Sequence, residues 1–343
     1  MSHTSPPRHP QAIPVVKPRP SRWWLALILS PLVIVGLVAA GLFYVQSSVT
    51  NTLDDSEVID EAFPTDETRP TPGAEGTVTF LLLGSDSRDG LPEDLESIEG
   101  NRSDAMIVAR INAERDHIAL MSIMRDSWVE IPGRGENKIN AALSLGGVKL
   151  AVETVENLLD TRIDHIAIVD FEGFSALTDT LGGVTVLNQR AFSPSELPEA
   201  YFPAGQVTLN GEEALAYVRE RASFADGDFQ RVRNQQAYLR GLATGLLEDV
   251  SLTNPGMVLD IVDSLSPYLQ RDPGLTPEVI TGVAGSLAGL NAENLDSFTA
   301  PTTGTGTIRG QSVVLLDDAE LEVVKSHFQS DTLRDYLAGQ SSQ

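Results

Sequence analysis

The chain has 343 residues, with 24 lysines and arginines against 48 aspartates and glutamates, a formal net charge of −24 and no cysteine. This composition excludes a disulfide scaffold, a thiol nucleophile, a cysteine-ligated metal centre and c-type haem attachment. So acidic a surface repels a nucleic-acid backbone, and any phosphate ligand must be held by local positive charge.

Residues 1–22 are proline-rich and carry Arg8, Lys17, Arg19 and Arg22 without an acid, the pattern of a disordered tail. Residues 23–45 (WWLALILSPLVIVGLVAAGLFYV) contain no charged side chain. At about 1.5 Å per residue they suffice to cross a hydrocarbon core of about 30 Å as a transmembrane helix. Residues 46–76 carry Asp54, Asp55, Glu57, Asp60, Glu61, Asp66, Glu67 and Glu75 against a single base, Arg69, and read as an acidic linker. The charge asymmetry leaves the tail in the cytoplasm and sends everything after residue 45 outside, as a single-pass membrane protein. Function is therefore expected in residues 77–335, followed by a flexible C-terminus at 336–343.

The apolar run Thr77–Leu83 predicts a buried strand that feeds a loop at Gly84. Ala105–Ile111 and His117–Ile123 predict a hairpin. Leu150–Asp160 reads as a helix, Ile163–Val169 as a strand, Phe171–Leu181 as a helix closed by Gly182-Gly183, and Val184–Leu187 as a strand. Asn210 with Glu213 three residues on predicts a capping box opening a helix to about Glu220. The next helix runs from about Phe229 to Leu247. Its apolar stripe is Phe229, Val232, Leu239, Ala243 and Leu246, with Arg231, Asn234, Gln235 and Tyr238 on a separate polar stripe. Residues 250–310 are rich in glycine, proline and threonine and less legible. Ser312–Leu316 then predicts a strand and Asp318–Phe328 a helix. The alternation favours an α/β sandwich around a mixed sheet.

Phosphate-loop, nucleophile-elbow and H-E-x-x-H signatures are absent, and His117, His165 and His327 are the only histidines outside the tail. Arginine and aspartate gather instead at strand ends: Gly84-Ser85-Asp86-Ser87-Arg88, Asn101-Arg102-Ser103-Asp104 and Arg125-Asp126. Loops at strand ends of an open α/β sheet are the usual ligand site. Arg219, Arg221 and Arg231 form a second group, and Gln235 stacks one helical turn after Arg231. Arginine suits phosphate because its planar fork binds two oxygens and does not deprotonate. Asp86 and Asp104 are hard oxygen ligands of the kind that hold Mg²⁺ beside a phosphate. An anion site, a cation and no nucleophile point to phosphoryl transfer by positioning and charge stabilisation.

The stretches FLLLGSDSR, NRSDAMIVARIN, SIMRDSWVEIPGRGENKINAA, GGVKLAVETVENLL, IDHIAIVDFEGF, LNGEEALAYVRERAS and GDFQRVRNQQ together resemble the LytR-CpsA-Psr family of cell-wall ligases, over about 160 residues. The resemblance implies a three-layer α/β/α sandwich holding a polyprenyl pyrophosphate. It also implies a Mg²⁺-dependent phosphotransferase that moves a lipid-linked glycopolymer (teichoic acid, arabinogalactan or capsule) onto a peptidoglycan sugar hydroxyl. Asp86 and Asp104 match the family's metal ligands. Arg88, Arg102, Arg125, Arg219, Arg221, Arg231 and Gln235 match positions around the pyrophosphate, with Arg125, Arg219 and Asp104 as catalytic residues. The implied partners are the lipid-linked donor, the peptidoglycan acceptor and the membrane, with no nucleic acid. Hydrolysis of the pyrophosphate, or non-catalytic binding of the lipid intermediate by an envelope regulator, are the alternative activities. Met124 stands where the family usually has proline, and Asn234 where a second arginine is common. Arg233 does not replace that arginine, since two residues turn a helical side chain by about 200°.

Overall fold

The apolar runs of the sequence become the central strands of one mixed sheet. The computed structural model describes Leu53 and residues 56–85, 103–224, 227–249, 255–287 and 289–341. The span expected at 23–45 lies outside the described residues, as does the segment carrying Asp86, Arg88 and Arg102. Among the described residues no helix is long and apolar enough to cross a membrane.

In chain order the elements are β1 (Glu57–Val58), β2 (Val78–Ser85), β3 (Ser103–Ile111), β4 (Ile118–Ile123), β5 (Trp128–Ile131), β6 (Gly135–Lys138), α1 (Ala141–Leu159), β7 (His165–Asp170), α2 (Phe171–Thr180), β8 (Val184–Asn188) and β9 (Gly205–Leu209). They continue with α3 (Gly211–Arg219), α4 (Gly227–Asp249), α5 (Pro255–Leu265), β10 (Leu269–Arg271), α6 (Pro277–Ser286), β11 (Leu295–Thr299), β12 (Thr302–Ile308), β13 (Gln311–Leu316), α7 (Asp318–Ser330) and α8 (Leu333–Ser341). The main sheet has the order β1-β10-β7-β2-β3-β4-β11. Its β2–β7, β4–β11 and β1–β10 pairs are parallel, and β2–β3, β3–β4 and β7–β10 are antiparallel.

Both faces of the sheet are covered, which is why its central strands read as near-continuous apolar runs. Leu81, Leu83, Met106, Val108, Met121 and Ile123 pack toward α1, α7 and α8. Phe80, Leu82, Ile107, Ala109 and Leu120 point the other way, toward α4, α5 and α6. The result is the mixed α/β architecture expected, with helices on each side of the sheet. The capping box at Asn210 is present: its side chain accepts from Glu213 N at 3.0 Å, and Glu213 Oε2 accepts from Asn210 N at 3.1 Å.

Three expectations change. The helix predicted from Leu150 begins at Ala141, because two helical pieces join across Gly146 and Gly147. Gly147 has φ of +67°, and a Cβ at Gly146 would lie 2.6 Å from the Leu150 side chain, so glycine permits a kink that hides the helix's first turns from a periodicity reading. The polar stripe of the long helix, expected only as distinct from its apolar one, proves largely interior. Asn234 and Tyr238 are each 1% exposed, because α4 lies between the sheet and a second layer formed by α2, α3 and the β8–β9 hairpin. Their polar atoms are satisfied there: Asn234 Nδ2 donates to Tyr217 O at 3.0 Å and the Tyr238 hydroxyl bonds Thr178 Oγ1 at 2.7 Å. Finally, the stretch read as a linker is partly built into the domain. Glu57 and Val58 pair with β10, Ala62 is buried, and the Arg69 fork bonds the buried Glu156.

Candidate functional site

Register brings one end of β2, β3, β4 and β7 together. Ser85 at the end of β2 lies opposite Ser103 at the start of β3 and beside Asp170 at the end of β7, while Ile123 at the end of β4 faces Met106. Gly84 pairs with Ala105 and Ser85 with Ser103, so Asp104 is an extra residue in a bulge at this edge, adjoining the strand end that leads into Asp86. Bulges at sheet rims re-aim a position and recur beside active sites.

Contacts of neighbouring residues link the segments that carry Arg125, Arg231 and Arg219. Arg125 follows β4 in a loop whose backbone is tied from several sides. Ser127 N donates to Met124 O at 2.9 Å, Asn140 N to Arg125 O at 3.2 Å, Ile139 N to Ser127 O at 2.8 Å and Val314 N to Asp126 O at 2.9 Å. Met124 is buried and packs with Phe229, Val232 and Val314, so the residue standing in place of proline helps hold this loop against α4. That contact ties the residue before Arg125 to Val232, the neighbour of Arg231, which is 7% exposed. Gln235, half-buried, follows on the same face of α4. One turn along, the Asn234 amide holds the Tyr217 carbonyl, fastening the last turn of α3 and thus Arg219 to α4. Asn234 therefore serves packing rather than an anion. The Arg219 guanidinium lies 4.5 Å from the Phe171 ring centre, and Phe171 directly follows Asp170 at the end of β7. Arg221 is exposed in the α3–α4 connection.

Several participants carry no signal in the sequence. Glu196, in the loop joining β8 to β9, pairs with Arg219 at 2.7 Å. Lys138 pairs with Asp126 at 3.1 Å beside Arg125. Asp170 caps α2 by accepting from Gly173 N at 2.8 Å, and burial pushes its carboxyl above the usual aspartate value, only partly offset by that hydrogen bond. The three histidines outside the tail form separate structural pairs: His117 with Asp296, His165 with Asp272 and His327 with Thr332.

The Glu196 loop is latched by Glu220, the residue after Arg219. The buried Glu220 carboxylate accepts from Ser195 N and, at 2.8 Å, from Ser223 N. Burial alone would raise its pKa, but the hydrogen bonds from Ser195 and Ser223 outweigh it and leave the carboxyl below the usual glutamate value. A depressed folded-state pKa adds stability that is fully present above the unfolded value and is lost as pH falls through the folded one. Glu220→Gln should flatten that acid-side loss, as measured by urea midpoints from neutral pH down to about pH 3; an unchanged pH profile would contradict the role.

Between the sheet and α4–α6 lies an apolar cavity of about 380 Å³, lined by Phe80 and Leu82 of β2, Ala167 of β7, Leu246, Val262 and Ile280. Phe80, Leu82 and Gly84 share one face of β2, so the strand meets the arginine-bearing edge without a side chain at its last position on that face. From Leu82 to Ser85 is roughly 10 Å along the strand.

The sequence profile of the LytR_cpsA_psr family matches residues 42–330. A polyisoprenyl-teichoic acid–peptidoglycan teichoic acid transferase TagU from Halalkalibacterium halodurans is 35% identical over 261 residues, covering 72% of this chain and 80% of that protein. TagU of Bacillus subtilis strain 168 is 32% identical over 244 residues, covering 69% and 76%. Among solved structures, B. subtilis TagV superposes with a TM-score of 0.62 at 28% identity, covering 75% of this chain and 97% of that one. TagT bound to LI-WTA gives 0.58 at 27% identity, covering 74% and 90%. With the family profile matching residues 42–330 and relatives more than 30% identical over most of its length, the chain belongs to the LytR-CpsA-Psr family.

Proposed function

We propose that the chain is a phosphotransferase that moves a glycopolymer from a polyprenyl pyrophosphate onto a peptidoglycan sugar hydroxyl. The observation that carries this reading is that the segments bearing Arg125, Arg219 and Arg231 are tied to one another near one sheet edge, about 10 Å along β2 from an apolar cavity. A diphosphate head and an aliphatic tail need those two environments side by side. The names of the TagU relatives support the donor and acceptor classes. We place the domain outside the cell, anchored by a helix at 23–45 with the N-terminus in the cytoplasm, on the charge asymmetry around that segment.

The acceptor hydroxyl oxygen bonds to the glycan-side phosphorus, the P–O bond to the prenyl phosphate breaks, and the hydroxyl proton leaves to a base. Guanidinium forks serve this step because they bind the phosphate oxygens in place and offset charge that grows on the leaving prenyl phosphate. Phe171 restrains the Arg219 side chain by stacking, and the incoming diphosphate must take over from Glu196 on that guanidinium. Asp104, in the bulge beside the strand end that runs on in sequence to Asp86, and Asp86 itself are residues of the type that would hold Mg²⁺, with Arg88 and Arg102 in the same stretch of sequence. When bound, the ion would neutralise charge on the diphosphate.

The full chain in detergent, given a polyprenyl-pyrophosphate glycan and peptidoglycan, should yield a covalent glycan–peptidoglycan product, with EDTA suppressing the rate and Mg²⁺ restoring it. Release of prenyl phosphate and glycan phosphate at the same rate with or without acceptor, with no covalent product, would identify a pyrophosphatase instead. Lipid binding without turnover would identify a regulator.

A further inference from the structure

A second cavity, of about 700 Å³, lies between α4 and the β8–β9 hairpin, reaching Ser297 of β11. In a chain with twice as many acids as bases, two arginines, Arg233 and Arg240, line it, and among the described residues no carboxylate does. The groove beside β5 and α7 provides the contrast, being lined by Glu130, Glu136, Asp318 and Glu322 with Lys325. Among the described residues, the lack of carboxylates in the lining of the larger groove is therefore not shared by that other groove.

The helix accounts for the arrangement. Arg233 and Arg240 are seven residues apart, so they project within about 20° of each other and about 10.5 Å apart along the axis. Gln189, Gln206 and Gln236 add amide donors and acceptors. Gly241 brings the helix close to β8 on one side, since a Cβ there would overlap the Thr185 carbonyl oxygen. The groove starts at the arginine-bearing end of α4. Arg233 follows Arg231 by two residues on the opposite side of the helix, Gln236 follows Gln235, and Gln236 Nε2 donates to Thr299 Oγ1 at 2.8 Å at the end of β11. Arg233 is braced by Gln230 Oε1, at 3.1 Å from Nε and 2.8 Å from Nη2, while Arg240 is exposed.

We infer that this groove binds an anionic glycan chain, with Arg233 and Arg240 engaging its phosphate or carboxylate groups and the glutamines its hydroxyls. The source of that chain rests on the proposed function: either the phosphodiester polymer of the donor or the carboxylate-bearing glycan of the acceptor. The groove's chemistry does not depend on that choice. Screening beyond about 8 Å at physiological ionic strength leaves the two arginines in control of the groove despite the net charge.

The test uses the full chain in detergent and four probes: a lipid-free poly(glycerol phosphate) oligomer, a soluble peptidoglycan fragment with stem-peptide carboxylates, an uncharged N-acetylglucosamine tetramer and a short prenyl pyrophosphate. Arg240→Glu should weaken binding of at least one anionic probe about tenfold and flatten its salt dependence. Arg240→Gln should lie between the two, a grading that loss of fold would not produce. Loss confined to poly(glycerol phosphate) assigns the groove to the donor, and loss confined to the peptidoglycan fragment assigns it to the acceptor. Equal affinity of wild type and Arg240→Glu for both anionic probes overturns the inference, as does tighter binding of the neutral tetramer than of either. Failure of the prenyl pyrophosphate to bind the wild type counts against the proposed function while leaving the groove result standing.

Discussion

Arg219→Ala should lower transfer of glycan to peptidoglycan by about 10²- to 10³-fold, the scale of removing one preorganised charge donor from a developing phosphate anion. The side chain is one-third exposed, stacked on Phe171 at 4.5 Å and paired with Glu196 at 2.7 Å, so its removal leaves no buried charge and the domain should unfold at the same urea concentration. Arg219→Lys should recover little. An ammonium has neither the planar fork that grips two phosphate oxygens nor the flat surface that stacks on Phe171. Rates of covalent product formation at saturating donor, with urea midpoints for each variant, decide the matter. An alanine variant that transfers at the wild-type rate would remove Arg219 from the reaction.

The largest stability loss is expected from Glu156→Ala. Glu156 is 1% exposed and accepts from Arg69 Nη2 at 2.6 Å, from Arg69 Nε at 3.0 Å and from Ile163 N at 2.9 Å. Arg69 is itself buried, donates to the Ile163 carbonyl and lies 4.6 Å from the Phe63 ring. Deleting the carboxylate strands a guanidinium in the interior, a change that costs about 3–5 kcal/mol. Denaturant unfolding of the full chain measures it. Arg69 and Glu156 lie outside the segments that carry Arg125, Arg219 and Arg231, so prenyl-pyrophosphate binding by the folded fraction should be unaltered. A shift below about 1 kcal/mol would mean that the pair behaves like an exposed one.

Both cases mark the limit of what local pattern reveals. Arg69 sits in an acidic stretch with the composition of a linker, and nothing within several residues of it indicates a partner 87 positions away. Glu196 likewise belongs to a polar loop, and only the return of that loop over α3 brings it to Arg219. The capping box at Asn210 was legible because both partners lie within one helical turn. The strands β2, β3 and β4 were legible because burial on both faces forces an apolar run. The long helix was legible in extent but not in orientation: periodicity separates its apolar and polar stripes, whereas Asn234 and Tyr238 became interior when a second layer closed over the polar one.

Taken alone, the order of apolar runs and the motifs after them determined a mixed α/β domain and the family it resembles, and marked the strand ends as the candidate site. Those features are local and are written within a few residues. Which contacts tie the arginine-bearing segments together, which polar residues of α4 are structural, and where the groove lined by Arg233 and Arg240 opens were decided by tertiary packing. They depend on register and helix placement between segments up to more than a hundred residues apart, and the free energy that selects them is burial of surface shared between those segments.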